Sequence, residues 1–247
     1  MILTPTKTKK AIKEIYNIST LLSDGGTNSK TAKNDIKTYI LYMSPYTMNS
    51  KGMNLCPKAS AGCAAACLFS AGRGKFSNVK SARINKTEFF LSNKAEFLKV
   101  LAGEILFQTK KAIKGSYKIA FRLNGTTDQD FVYMLKKYTN LDIEKLPWNV
   151  YFYDYTAVLS RAIRYKNSKK YTLTFSRKEN NDNDVQKAIL EGVNIAAVFN
   201  TLPEIWSGIK VIDGDKNDIL MLSNKGVILG LKAKGLARKD TSGFVIR

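Results

Sequence analysis

After Gly115 the chain settles into a rhythm that few folds can accommodate. "YKIAFRLN" (117–124), "NVYFYDY" (149–155), "YTLTFS" (171–176) and "NIAAVFN" (194–200) are dense in β-branched and aromatic residues and predict strands. Between them, "DQDFVYMLKKYT" (128–139), "TAVLSRAIRY" (156–165) and "NDVQKAILEG" (183–192) space their apolar residues by three and four, as helices do. A short "PEIW" turn then leads to "IKVIDG" (209–214) and "GVILGLKA" (226–233), two further strands. Upstream, "IKTYILYMS" (36–44) also reads as a strand, and "VKSARINKTEFFLSN" and "KAEFLKVLAGEILFQTKKAI" read as helices. Strands alternating with helices at this spacing build βαβ units on a parallel sheet. Five or six such units are too few for a closed eight-fold barrel. The expected fold is α/β: a partial (β/α) barrel, TIM-barrel-like, or an open parallel sheet of about six strands.

With 247 residues and 44% hydrophobic content the chain can bury one large core. The expected organisation is an N-terminal extension, 1–35, and a single α/β domain, 36–247. The extension reads as a short helix from about Lys7 to Leu22 and a loop, "SDGGTNSKTAKND". No long uninterrupted apolar run and no apolar segment with a small-residue cleavage site is visible, so the expectation is a cytoplasmic protein with no membrane partner. The oligomeric state is open.

The formal net charge is +20, an excess that attracts polyanions, so nucleic acid is the expected partner. Lys outnumbers Arg 32 to 8, which favours phosphate-level attraction over bidentate base reading. Histidine is absent, which removes Ser-His-Asp triads, Cys-His dyads and His-ligated zinc. Acid–base work is left to Asp, Glu, Lys, Tyr or water.

In such folds functional residues collect at the carboxyl ends of the strands. That rule delivers Ser44 to Tyr46, then Arg122 and Asn124 with Asp128, then Asp154, Tyr155 and Thr156. Further strands deliver Ser176 and Arg177, Asn200, and Asp213 with Asp215. Arg122, Asp154 and Tyr155 are the catalytic candidates, and Asn124 and Asn200 are candidate cofactor contacts. The same residue types also serve as ordinary helix caps.

All three cysteines lie in one loop, "NLCPKASAGCAAACLFSAGRGKF" (54–76), as Cys56, Cys63 and Cys67. An odd number argues against a closed disulfide framework. On a helix from about Ser60 to Phe69, Cys63 and Cys67 would share a face, with Cys56 folding back from the loop before it. Three thiolates suit an iron–sulfur cluster such as [4Fe-4S], one of whose irons would then lack a protein ligand. Two other readings stay open: thiols packed as small hydrophobes, and zinc completed by a carboxylate or water.

Arg73 and Lys75 in "SAGRGKF" sit between glycines, where backbone and cations could contact an anion, on a cofactor or on nucleic acid. Arg161 and Arg164 lie among tyrosines in "SRAIRYKNSKKYTLTF", the composition of a single-strand stacking surface. The tail "GLKAKGLARKDTSGF" adds Lys232, Lys234, Arg238 and Lys239 as candidate phosphate contacts.

The cysteine loop, followed by "FRLNGTTDQDF", "VYFYDYT" and "VIDGDKND…GVILGLKAKG…DTSGFV", resembles a phage family known as gene product 88 over roughly residues 36 to 247. That family in turn looks similar to radical-SAM proteins, with a cysteine-rich loop after the first strand of a partial (β/α) barrel. The resemblance implies a cluster at Cys56, Cys63 and Cys67 and, further on, S-adenosylmethionine as a cofactor. It also implies the host-cell cytoplasm. The functional expectation is a phage-type iron–sulfur protein that binds single-stranded or non-sequence-specific DNA. The alternatives are a radical-SAM-type enzyme using the open iron, and a non-enzymatic single-strand DNA-binding protein with structural or zinc-bound cysteines.

Overall fold

The computed structural model describes residues 12–27, 35–67, 69, 72–217 and 219–247, with residues 73 and 75 described in backbone only. Among the described residues there are ten strands: β1 (Leu22–Asp24), β2 (Ile36–Leu41), β3 (Lys118–Arg122), β4 (Val150–Thr156), β5 (Tyr171–Ser176), β6 (Ile195–Phe199), β7 (Ile205–Trp206), β8 (Ile209–Asp213), β9 (Ile228–Lys232) and β10 (Val245–Ile246). They form one open sheet in the order β1-β2-β3-β4-β5-β6-β9-β8-β7, with β10 paired to β6. Every pairing is parallel except β1 with β2 and β7 with β8. The expected mixed α/β architecture is therefore present, but with ten strands rather than about six. The surplus is mainly β1, β7 and β10, of two or three residues each, too short for alternation to register in a sequence.

The helices are α1 (Ala61–Ala65), α2 (Ser77–Ser92), α3 (Lys94–Lys114), α4 (Phe131–Thr139), α5 (Leu159–Tyr165), α6 (Asp182–Leu190) and α7 (Leu220–Ser223). One side chain separates the two long ones. Asn93 ends α2 with non-helical backbone (φ −145°, ψ 73°), and its side chain accepts a hydrogen bond from Glu96 N at 3.2 Å, capping α3. Helix α4 begins three residues later than the apolar spacing predicts, because Asp130 is its cap, accepting from Tyr133 N.

Strand alternation divides the buried residues between two faces. Phe121, Val150 and Phe152 pack against Phe90, Phe97 and Leu101 of α2 and α3 and Phe131 and Leu135 of α4. Edge-to-face contacts join Phe90 to Phe97 and Phe131, with centroids 5.2 and 5.7 Å apart. Each such ring adds about 1.5–3 kcal/mol by leaving water. On the opposite face Ala120, Tyr153 and Leu229 meet Met221 of α7.

The segment expected as an N-terminal extension joins this core. Residues 12–16 are helical, and Ile12, Ile18, Leu21 and Leu22 are buried with α2 and α3. Lys86 Nζ donates to Leu21 O at 2.7 Å, and the Glu104 carboxylate accepts from Leu21 N and Leu22 N. Part of the expected loop is instead β1, paired antiparallel with β2. The start of the expected helix (7–11) and residues 28–34 lie outside the described residues. Among the described residues no helix is long and apolar enough to cross a membrane.

One departure from regular topology positions the site. Strands β5 and β6 pair only at Phe175 with Ile195 and Ser176 with Ala196. Beyond Ala196 that flank of β6 is taken by β10, Val245 opposite Val198 and Ile246 opposite Phe199. The C-terminus thus enters the sheet at its carboxyl edge, next to the end of β5.

Candidate metal centre

The loop after β2 crosses the carboxyl ends of its neighbours and is bonded to each in turn. Gly125 N, past β3, donates to Leu41 O at 3.0 Å, and Asp128 N donates to Leu55 O at 3.0 Å. Gln129 Nε2 holds the same Leu55 carbonyl, and Cys56 Sγ lies 3.8 Å from Thr126 O. The loop then reaches β5. There the Glu179 carboxylate accepts from Ser60 Oγ at 2.6 Å and from Gly62 N at 2.7 Å, at the start of α1. Ser60 also caps α1 itself, its Oγ accepting from Cys63 N at 3.2 Å.

Helix α1 is a single turn, not the span from Ser60 to Phe69 that the sequence predicts. Cys67 lies two residues past its end, its N–H bonded to Ala64 O at 3.3 Å, so Cys63 and Cys67 do not share one regular helix face. Small residues are nonetheless required here. A Cβ on Gly62 would stand 2.3 Å from Ser242 Oγ and 2.8 Å from Phe244 Cβ, because the C-terminal tail presses directly on the turn.

The three thiols are half-buried, unbridged and within electrostatic reach of one another. Burial pushes the Cys56 thiol up to about 11, and Asp128 and the other two cysteines add to the rise. Burial likewise raises Cys67, against the pull of Lys178 and Arg83. Lys178, only 8% exposed, places Nζ 2.8 Å from Cys63 Sγ and 5.6 Å from the centre of the Phe244 ring. A sulfur-only donor set beside a buried ammonium favours soft metal chemistry and a ligand that must displace protons as it binds. Among the described residues no three Cys, Asp or Glu side chains are grouped as the ligands of one ion.

The remaining rim residues are bonded into the fold as follows. Asn124 organises the turn beneath Cys56, its Oδ1 accepting from Gln129 N and Thr127 Oγ1 and its Nδ2 donating to Gln129 O. Asp154 is 1% exposed and accepts from Leu123 N, Asn124 N and Asn124 Nδ2. Burial raises its carboxyl to about 7, opposed by Arg122 and these hydrogen bonds. As a catalytic candidate Asp154 is therefore enclosed, and its role is to tie β3 to β4. Arg122 stacks over the Tyr155 ring at 5.0 Å. Asn200 is exposed at the end of β6, its N–H bonded to Ile246 O.

The expected nucleic-acid contacts divide. Arg161 is 11% exposed at its side chain and bonds Asp128 Oδ1 at 2.5 Å, and Arg164 pairs with Asp130. The Arg161 guanidinium is enclosed in the α4–α5 junction, whereas Arg164, with its side chain 53% exposed, pairs with Asp130 at the surface. Lys234 pairs with Asp215 at 2.8 Å but remains half exposed, while Lys232, Arg238 and Lys239 are exposed. The side chains of Arg73 and Lys75 lie outside the described residues.

The strand-end rule reaches Ser176 and Arg177 and stops one residue short of Lys178 and two short of Glu179, the pair that docks the cysteine turn. Arg83, beside Cys67, carried no signal beyond being an arginine early in α2.

A family model described as Gene product 88 matches residues 19–247. Neither the curated proteins nor the solved structures contain a match.

Proposed function

The chain belongs to the Gene product 88 family, a bacteriophage family, and from that premise we propose that it is an iron–sulfur protein that binds nucleic acid. Cys56, Cys63 and Cys67 would hold the cluster. The observation that carries this reading is the docking of the cysteine loop across the carboxyl rim, which brings three half-buried thiols within electrostatic reach of one another. Such a cluster supplies one-electron chemistry and, where an iron lacks a protein ligand, a coordination position. Lys178 would then donate to the Cys63 sulfur, and contacts of this kind to cluster sulfurs set reduction potentials.

Nucleic-acid binding rests on the net charge of +20 and on the exposed cations of the tail, Lys232, Arg238 and Lys239. With Arg161 engaged internally and lysine far outnumbering arginine, phosphate-level contact is the form it takes.

Anaerobic purification followed by iron, sulfide and zinc analysis tests the cluster. Iron with matching sulfide and a broad visible absorption, all lost in Cys56→Ser, is the expected result. A colourless, iron-free protein, or one carrying stoichiometric zinc, overturns it. For nucleic acid, the logarithm of affinity for an oligonucleotide should fall linearly with log salt. A flat dependence removes that half of the reading.

Three thiols rather than four also favour a second reading, a radical-SAM-type enzyme using the unliganded iron. Loaded, reduced protein that neither binds nor cleaves S-adenosylmethionine excludes it.

A further inference from the structure

We infer that Arg83 and Ser44 form a buried binding site for a small oxyanion, a carboxylate or phosphate group, beside the cysteine loop. The inference goes beyond the cluster reading and stands or falls separately from it.

The site is built around one guanidinium. Arg83 is 8% exposed and lies over two aromatic rings, Tyr42 at 4.9 Å and Phe69 at 5.2 Å. Its Nη1 donates to Phe69 O at 3.0 Å. Those contacts fix the plane of the group yet use one of its five donors. Nε is fully enclosed and has no hydrogen-bond partner among the described residues. Ser44, at the carboxyl end of β2, is 0% exposed, and its Oγ is likewise enclosed without a partner. The two residues are linked through their backbones: Ser44 N donates to Thr87 Oγ1 at 2.8 Å, and that hydroxyl donates to Arg83 O at 3.0 Å.

Buried polar groups are satisfied almost without exception, so two orphaned donors together call for an occupant. Both can donate, one of them from a permanent cation with no acidic side chain as a salt-bridge partner among the described residues. An oxygen-bearing anion answers both at once, and a fork of guanidinium N–H groups matches a carboxylate or phosphate edge. The surrounding backbone is shaped for the guanidinium as well. A Cβ on Gly74 would lie 2.1 Å from Phe69 O and 3.1 Å from Arg83 Nη1, so glycine at 74 is what lets the 72–75 turn close over it. The basic glycine turn thereby acquires a role through Arg83. Cys67 lies within electrostatic reach of the same guanidinium, which places the anion next to the thiols.

The test is a titration of the full chain, in metal-free form, with inorganic phosphate and separately with acetate, following the Arg83 Nε–H resonance by nitrogen–proton NMR. The resonance is assigned by its disappearance in Arg83→Lys. A saturable downfield shift with either anion supports the site, and the anion that produces it distinguishes phosphate from carboxylate. Ser44→Ala, which removes one hydroxyl and leaves the arginine stack intact, should weaken that anion about fivefold, as loss of one hydrogen bond does. No shift with either anion, or equal affinity in Ser44→Ala and wild type, overturns the inference. Iron analysis reads the cluster independently, so failure of one reading is not mistaken for failure of the other.

Discussion

Glu179 is the residue whose removal should open the cysteine loop without unfolding the protein. Its carboxylate accepts from Ser60 Oγ at 2.6 Å and Gly62 N at 2.7 Å, and it touches none of the large aromatic core. Hydrogen bonds to a charged acceptor contribute about 1.5–3 kcal/mol each, but these share one acceptor at a partly exposed position, so about 2 kcal/mol for Glu179→Ala is a fair total. At 1.4 kcal/mol per tenfold, the undocked loop should become about 30-fold more populated. The assay is alkylation of the metal-free protein by iodoacetamide at fixed pH, with Cys63 modification followed by mass spectrometry and global stability by urea unfolding. Cys63 should react about 30-fold faster while the urea midpoint barely moves, and Glu179→Gln, which keeps one acceptor oxygen, should fall between. The pH dependence has a definite sign. Burial alone would raise the Glu179 carboxyl, but the bonds from Ser60 and Gly62 hold it below its usual 4.5. The docking contribution is therefore present above pH 4.5 and lost as pH falls below it. A Cys63 rate in Glu179→Ala within about twofold of wild type would refute the reasoning, because it would mean the turn is held by something other than this carboxylate.

Asp154 should give the opposite pH signature: its carboxyl, raised to about 7 by burial, contributes stability that is full below pH 3.8 and lost as pH rises through 7. Urea unfolding at pH 5 and pH 8 should differ by on the order of 2–4 kcal/mol in wild type from this group, and the difference should shrink in Asp154→Asn. Gly62→Ala forces a Cβ into Ser242 and Phe244 and should cost about 1–3 kcal/mol, seen as earlier proteolysis of the C-terminal tail. Arg161→Met strands Asp128 in a largely buried position and should destabilise the protein by about 3 kcal/mol. The same substitution should leave the salt slope of nucleic-acid binding unchanged, since that guanidinium faces inward.

The parallel sheet was legible because its central strands are five to seven residues of alternating β-branched and aromatic side chains separated by amphipathic helices. Elements set by tertiary contact were not. Strand β10 is two residues long and exists because β5 and β6 diverge after Ala196, leaving an edge to fill. The cysteine helix stopped at Ala65 rather than Phe69 although alanine favours continuation, since the turn is fixed at its start by Glu179 and covered by the tail. Within the candidate site, the thiols stood out in the sequence because all three cysteines fall in one loop of a chain without histidine. It could not identify Lys178, Glu179 or Arg83, because an ordinary lysine, glutamate or arginine acquires its role only from what folds against it. The same limit explains Arg161: a basic residue among tyrosines looks like a nucleic-acid contact until Asp128 is placed beside it and the pair is enclosed.

The site is assembled from segments far apart in the chain, and that has a consequence for how it is held. Glu179 and Lys178 meet the loop across 119 and 115 residues, respectively, from Ser60 and Cys63. Arg177 reaches the carbonyls of Gly243 and Phe244, and Phe244 lies under the Lys178 ammonium. Ala66, just past α1, packs with Val198, Val245 and Phe244 in a small cluster separate from the main core. The last eight residues are thus a latch that stabilises Lys178 against Cys63 while contributing nothing to the packing around Phe90 and Phe97. Deleting residues 240–247 should leave the urea midpoint of the main core nearly unchanged. It should raise the Cys63 alkylation rate at least as far as Glu179→Ala does, because it frees both Lys178 and the outer face of the turn. Combining the two changes should then add little to either, since each releases the same docked turn. Fully additive effects would instead mean that the tail and Glu179 hold two different things, and the thiol loop would have to be redrawn as independently anchored at Cys56.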